Sequence, residues 1–228
     1  MRCEAVLLDV GGVFFLPRHE PLLDALSPFG VTEDRLDRAH YAGVAAIDRA
    51  GHFDWSLYRR GYLAEAGVPP NKIEEANAAF EAVWEIPELW ARLLPGTVDA
   101  LKRLAETGVE IGIVSNSNGT VEAMLLAHEV CRVGGEPGGC TQVAVIIDSH
   151  VVGAEKPDPA IFGHAFERLS VAPERAVYVG DTVGADVVGA RAVGMHPLHL
   201  DPHGFCPAPD DHEHVRSLHE VVAWVTSH

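Results

Sequence analysis

Three acidic or hydroxylic residues stand where short apolar runs end. Val6-Leu7-Leu8 runs into Asp9, Ile111 to Val114 into Ser115-Asn116, and Ala176 to Val179 into Gly180-Asp181. A single aspartate after a strand ordinarily serves as a turn or cap residue. Three such ends, with Lys156 in a loop between the second and third, describe a site, because ligands of open parallel sheets bind at the carboxyl ends of the strands. The overall charge restricts what that site can hold. Seventeen Lys and Arg against 33 Asp and Glu give a formal net charge of −16. A surface this acidic argues against nucleic acid or anionic lipid as the main partner. It also repels small phosphorylated molecules, so a site for them must carry its own positive charge, from a metal or a lysine. The chain has only Lys72, Lys102 and Lys156.

The elements that must position these residues follow from hydrophobic spacing. After the first short strand, Gly11 and Gly12 break the run, and the stretch from about Pro17 to Leu89 reads as helical throughout. Leu22, Leu23 and Leu26 mark one helix. Leu36, Ala39, Gly43 and Val44 mark a second, opened by Thr32-Glu33-Asp34. A third runs from Trp55 to about Glu65, ended by Gly67, and a fourth carries Ile73, Ala76, Phe80, Val83 and Trp84 behind Pro69-Pro70. From Pro95 the pattern alternates. Val98, Leu101 and Leu104 give a helix stopping at Gly108, followed by the strand 111–114 and a helix near Val121–Val130. The glycine-rich loop Gly134–Gly139 leads to a strand at Val143–Ile147 and a helix at Pro159–Leu169. The strand 176–179 precedes a helix near Ala185–Val193, and a strand at Leu198–Leu200 and a helix at Leu218–Val225 close the chain. Such alternation predicts an α/β fold, a doubly wound parallel sheet covered on both faces. Residues 1–16 and 90–228 form its core domain, with residues 17–89 as an inserted helical cap domain.

Taken motif by motif, the sequence resembles the haloacid dehalogenase superfamily. Asp9-Val10-Gly11-Gly12-Val13 resembles its first motif, and Ser115-Asn116 the second. Gly153-Ala154-Glu155-Lys156-Pro157-Asp158-Pro159-Ala160-Ile161-Phe162 resembles the third, and Gly180-Asp181-Thr182-Val183-Gly184-Ala185-Asp186 the fourth. All four occur in order, with the helical insert between the first two, and span essentially the whole chain. The resemblance implies a Mg²⁺-dependent hydrolase, a phosphatase acting on a small phosphorylated metabolite. Asp9 would attack phosphorus and carry an aspartyl-phosphate. Asp9, Asp181 and the backbone carbonyl of Gly11 would hold Mg²⁺, a hard cation that prefers oxygen ligands, with Asp186 supporting it directly or through a water. Ser115, Asn116 and Lys156 would bind the phosphoryl group, with Lys156 offsetting its charge.

One position departs from the pattern. Phosphatases of this family usually carry a second Asp two residues after the nucleophile, where it serves as general acid and base; this chain has Gly11. Such a group contributes about 10²–10⁴-fold in rate, although some phosphatases of the family also have glycine there. A family member that binds ligand but turns over slowly or not at all is therefore the competing expectation. The 2-haloacid dehalogenases also lack this Asp, but they work without metal and do not need the Asp181–Asp186 pair. Phosphonoacetaldehyde hydrolases have a small residue there and use a cap lysine, for which Lys72 is the sole candidate.

Other signals are weaker. His19, His40 and His52 read as surface or packing residues of the helical insert, and Trp55, Trp84 and Trp90 as packing. His196, His199, His203, Cys206, His212 and His214 crowd the C-terminal region, yet their spacing matches no compact zinc pattern, and Asp210–His214 reads as a solvated loop. Cys3, Cys131, Cys140 and Cys206 form no CxxC pair and are expected as free thiols. No apolar run approaches the ~20 residues of a membrane span; the expected setting is cytoplasmic, with no membrane partner.

Overall fold

The computed structural model describes residues 2–86, 88–134 and 139–228. Its first strand, β1 (Ala5–Leu8), is buried on both faces, and its alternation divides the interior in two. Val6 and Leu8 point into one apolar cluster with Ile111, Ile113, Val177 and Val179. Ala5 and Leu7 point into another with Val114, Tyr178 and Phe162. A strand covered on both sides needs a continuous apolar run rather than an alternating one, and Ala-Val-Leu-Leu supplies it.

A two-residue strand, β2 (Phe15–Leu16), follows. The chain then enters α1 (His19–Leu26), α2 (Glu33–Ala50), α3 (Trp55–Glu65) and α4 (Ile73–Trp84), and returns through β3 (Arg92–Leu93). β2 and β3 pair antiparallel, Phe15 with Leu93 and Leu16 with Arg92, so the helical block leaves and re-enters at one place. The four helices enclose an apolar cluster of their own, including Leu22, Leu26, Leu36, Tyr58, Tyr62 and Phe80. α2 and α3 approach closely where Gly43 meets the Tyr58 carbonyl and Gly61 meets Ala46; an added Cβ would come within 2.8 and 2.7 Å of those atoms.

The remainder alternates: α5 (Thr97–Glu106), β4 (Glu110–Ser115), α6 (Val121–Ala127), β5 (Cys131–Val133), β6 (Thr141–Val143), β7 (Val145–Asp148), α7 (Ser149–Val152), α8 (Pro159–Phe166), β8 (Ala176–Gly180), α9 (Val188–Ala192), β9 (His196–Leu200), β10 (Glu213–Val215) and α10 (Leu218–Ser227). The main sheet has six strands in the order β10-β9-β8-β1-β4-β7, all parallel. The α/β fold with a parallel central sheet is therefore as expected. No helix among the described residues is long and apolar enough to cross a membrane.

Several boundaries differ from the expectation. The strand expected at 143–147 breaks at Ala144, whose N–H donates to the Ile111 carbonyl; β6 turns aside to pair with β5, and only β7 joins the main sheet. α6 stops at Ala127 because Glu129 turns with φ +55°, freeing Cys131–Val133 to form a strand. The helix expected from 185 begins as a single π turn at Val183–Val187, where Asp186 folds back to accept hydrogen bonds from Thr182 N–H and Oγ1–H. The segment read as a solvated loop at 210–214 is the clearest correction. Glu213–Val215 is an edge strand paired with β9, and the His212 side chain is fully buried. Part of the loop 134–139 lies outside the described residues.

Candidate active site

The order of the sheet sets β1 between β4 and β8, so the residues leaving these three strands face one another. Asp9 N–H donates to the Val179 carbonyl at 2.9 Å, which fixes the first turn beyond β1 against β8. Asp9, Asp181 and Asp186 are all buried, and one carboxylate oxygen from each lies within 4.8 Å of the others. Lys156 faces them with its Nζ 2.9 Å from Asp9 Oδ1 and 2.8 Å from Asp186 Oδ1. Ser115 is buried at the end of β4.

The amine is positioned from behind. Lys156 Nζ donates to the Tyr178 hydroxyl at 2.9 Å, and that hydroxyl donates to the Val114 carbonyl at 2.8 Å. The Asn116 side chain clamps the lysine's backbone, accepting from its N–H at 2.7 Å and donating to its carbonyl at 3.0 Å. Asn116, expected to touch phosphate, thus has its carboxamide engaged in holding Lys156.

Three buried carboxylates against one ammonium leave an excess of negative charge in a region of low dielectric. Burial pushes Asp9 up to about 6, partly offset by Lys156 and reinforced by Asp186 and Asp181. Burial, with Asp186 next, also holds Asp181 well above the usual carboxylate range. Asp186 behaves differently: burial would raise it, but Lys156 and the two Thr182 donors outweigh burial and hold it below its ordinary value. Burial likewise opposes the charge on Lys156, yet Asp186 and Asp9 keep it above the normal lysine range. The amine is therefore a fixed cation. Asp9 Oδ1 makes an ion pair with it but no aligned hydrogen bond, so a lone pair remains directed into the cluster. Oxygen donors, excess negative charge and a free lone pair are what a hard divalent cation requires.

Glycines shape the rest. Gly12 has φ +69°, and a Cβ there would stand 2.0 Å from Asp181 Oδ2; the turn after Asp9 and the Asp181 carboxylate can coexist only without a side chain. A Cβ at Gly11 would meet nothing nearer than the Trp90 ring, at 3.9 Å. The position of the absent acid thus opens toward an indole.

The helical block reaches the site at three points. The Tyr41 hydroxyl donates to the Gly12 carbonyl at 2.7 Å. Asp48 accepts from the N–H groups of Val183 and Gly184 at 3.0 Å. His40 is buried, with Nε2 2.9 Å from Asp181 Oδ2 and Nδ1 2.9 Å from the Tyr58 hydroxyl. Burial lowers His40 to about 3, so the ring is neutral, donating from Nε2 and accepting at Nδ1. The reading of His40 as a surface or packing residue misses this contact. Its signal lies in the spacing Leu36-His40-Val44, which sets it on the buried stripe of α2. Lys72, by contrast, is half-exposed and pairs with Glu75. The tryptophans Trp55, Trp84 and Trp90 pack edge to face in a chain, and His19 bridges Glu33 and Asp37. All four cysteines are free.

A parallel α/β sheet thus presents, at its carboxyl edge, a buried amine and a set of carboxylate oxygens that could hold a hard cation. Comparison with known proteins supplies the class: the chain belongs to the haloacid dehalogenase-like hydrolase family, whose model matches residues 3–194. It is 30% identical over 154 residues to a ribulose-1,5-bisphosphate 5-phosphatase from Halopiger xanaduensis, covering 67% of this chain and 60% of that protein. It is 31% identical over 144 residues to a glyceraldehyde 3-phosphate phosphatase from Methanopyrus kandleri, covering 63% and 55%. The chain thus matches little more than half the length of these relatives. The fold superposes on a crystal structure of a haloacid dehalogenase-type phosphatase from Thermococcus onnurineus with a TM-score of 0.58 and 24% identity, covering 97% of both chains.

Proposed function

We propose that the chain is a Mg²⁺-dependent phosphatase acting on a small phosphorylated metabolite, with Asp9 as nucleophile. The observation that carries this reading is the convergence of Asp9, Asp181 and Asp186 within 4.8 Å, faced by Lys156 at 2.9 Å from Asp9. Asp9, Asp181 and the Gly11 carbonyl would hold the ion. Asp186, whose oxygens are engaged by Lys156 and Thr182, would support it through water. Bound there, Mg²⁺ supplies positive charge to the transferring phosphoryl group. The chain's own residues do the rest. An Asp9 oxygen attacks phosphorus, the bond from phosphorus to the leaving oxygen breaks, and water then cleaves the mixed anhydride to free Asp9 and phosphate. Lys156 holds its proton throughout and balances charge, while the Ser115 hydroxyl and neighbouring N–H groups bind phosphoryl oxygens. The names of the relatives, phosphatases of a sugar bisphosphate and a triose phosphate, support a phosphorylated carbohydrate as substrate.

The leaving group receives no proton from position 11, and His40 is neutral and already bonded to Asp181 and Tyr58. We therefore expect slow turnover of ordinary alkyl phosphates and faster turnover of esters with acidic leaving groups. Residues 17–89 act as a cap in this reading. A cap of this kind opens to admit an ester and closes over it.

The test is phosphate release from a panel of phosphorylated metabolites with and without Mg²⁺. Metal-dependent release that disappears in Asp9→Asn supports the proposal. Absence of turnover on aryl and alkyl esters alike overturns it in favour of a ligand-binding family member. Gly11→Asp, whose Cβ would meet only the Trp90 ring at 3.9 Å, should raise the rate on alkyl phosphates by about 10²-fold or more.

A further inference from the structure

A second cluster, outside the acidic one, is left unused by that chemistry. The ligand-capable atoms of His199, Cys206, His212 and His214 all lie within 4.8 Å of one another. The topology assembles them. His199 and His214 are direct partners in the β9–β10 register, so both project from the same face at the edge of the sheet. Asp201 accepts from the N–H groups of Phe205 and Cys206 at 2.9 Å, forming the turn that brings the thiol back over them.

The protonation pattern shows what the cluster lacks. His199 Nε2 lies 3.0 Å from the Asp181 carbonyl, so Nε2 carries the proton and Nδ1 a lone pair. His212 Nδ1 lies 3.2 Å from Asp211 Oδ2, so its Nε2 carries a lone pair. These two lone pairs face each other at 2.9 Å, with the His212 ring fully buried. His214 Nε2 is buried without a hydrogen-bond partner, and Cys206 Sγ stands 3.6 Å from His212 Nε2. Such facing donors repel unless a cation lies among them.

We infer that His199, Cys206, His212 and His214 form a closed, structural Zn²⁺ site. Tetrahedral zinc, with Zn–N near 2.0–2.1 Å and Zn–S near 2.3 Å, sets nitrogens about 3.3 Å apart and sulfur about 3.6 Å from nitrogen. The His199–His212 separation of 2.9 Å needs to open by only a few tenths of an ångström, and the Cys206–His212 separation of 3.6 Å already matches. A thiolate with three imidazoles favours zinc over magnesium or calcium. The outer contacts fit as well. Asp211, itself paired with Arg191 at 2.7 Å, orients His212, the Asp181 carbonyl orients His199, and the Ala208 N–H at 3.4 Å from Cys206 Sγ favours the thiolate. Zinc there fastens the edge strand β10 and the loop 201–212 to the end of β9. The site stands independently of the phosphatase reading.

Cobalt substitution tests it on the full chain. Co²⁺ at this site gives a thiolate-to-cobalt charge-transfer band and intense tetrahedral absorption; the acidic cluster, which has no sulfur, gives neither. After zinc loading and desalting, the wild type should retain one more Zn²⁺ per chain than Cys206→Ala, and the cobalt band should be absent from that variant. Should Cys206→Ala fail to fold, alkylation of wild-type Cys206, followed by mass mapping, should be blocked by zinc and restored by a chelator. A cobalt spectrum without the charge-transfer band, or zinc that leaves Cys206 as reactive as before, overturns the inference.

Discussion

Replacing Asp9, the proposed nucleophile, should make the metal-free protein more stable, and the size of the gain can be worked out. Asp9 is buried and pushed up from 3.8 to about 6. A folded-state value above the unfolded one means that the native state holds its proton more tightly. Stability therefore falls as pH rises from about 4 to about 6, and the full penalty applies above that window. A difference of about two pH units corresponds to about 3 kcal/mol. Asp9→Asn keeps the shape and removes the charge. Lys156 is not orphaned by the change, because Asp186 at 2.8 Å and Tyr178 at 2.9 Å still hold it. In EDTA at pH 8 the variant should melt about 6–12 °C above the wild type, at about 2–4 °C per kcal/mol for a chain of this size. The gap should close as pH falls to about 4. Mg²⁺ should raise the wild type by mass action and the variant far less, narrowing the gap at pH 8. Thermal melts across pH with EDTA or Mg²⁺ decide the matter. Were Asp9 instead a structural partner of Lys156, the variant would melt lower than the wild type at pH 8, and the account of the acidic cluster would be wrong.

Other perturbations have defined outcomes. Lys156→Met removes the cation that faces three buried carboxylates and should destabilise the metal-free protein by about 3–5 kcal/mol, read by urea unfolding, while abolishing turnover. Gly12→Ala forces a residue into the left-handed region at about 1–2 kcal/mol and displaces the Asp181 carboxylate; titration calorimetry should show weakened Mg²⁺ binding, with the His40 contact broken. Asp48→Ala strands the N–H groups of Val183 and Gly184, at about 1–3 kcal/mol, and should speed hydrogen exchange at those two amides without changing exchange in β1.

The sheet and the acidic cluster are legible from the sequence because each strand of the central three is a continuous apolar run closed by a polar residue. Asp9 and Asp181 are recognisable because three such ends occur together with a lysine between the second and third. Lys156 is recognisable by its place within the stretch that resembles the family's third motif and by the scarcity of lysine. What escapes is set by contacts between distant segments. His40 looks like any histidine on a helix until the block folds over and brings it to Asp181, 141 residues away. β10 is concealed by its composition: Glu213, His214 and Val215 carry too little hydrophobicity to announce a strand, and only the vacant edge of β9 makes them one. The break at Ala144 arises in the same way, from a carbonyl of β4 claiming its N–H. The Asn116 carboxamide, expected at the phosphate, is drawn instead to the backbone of Lys156.

The pairing of β2 with β3 has a consequence for how this molecule can be altered. The two strands that carry the chain out of the sheet layer and back run side by side, about 4.8 Å apart, and are matched over only two residue pairs. The entire excursion of some seventy residues therefore departs and returns through a single seam. Backbone hydrogen bonds from the Arg18 N–H to the Leu89 carbonyl at 2.7 Å and from the Leu94 N–H to the Phe14 carbonyl at 2.8 Å flank that seam and hold the outgoing and returning chains together. The narrowness of the seam makes the excursion exchangeable: a different insert, or a short turn joining Leu16 to Arg92, would leave the strand order and the Asn116 and Tyr178 contacts of the buried amine in place, while removing the His40, Tyr41 and Asp48 contacts.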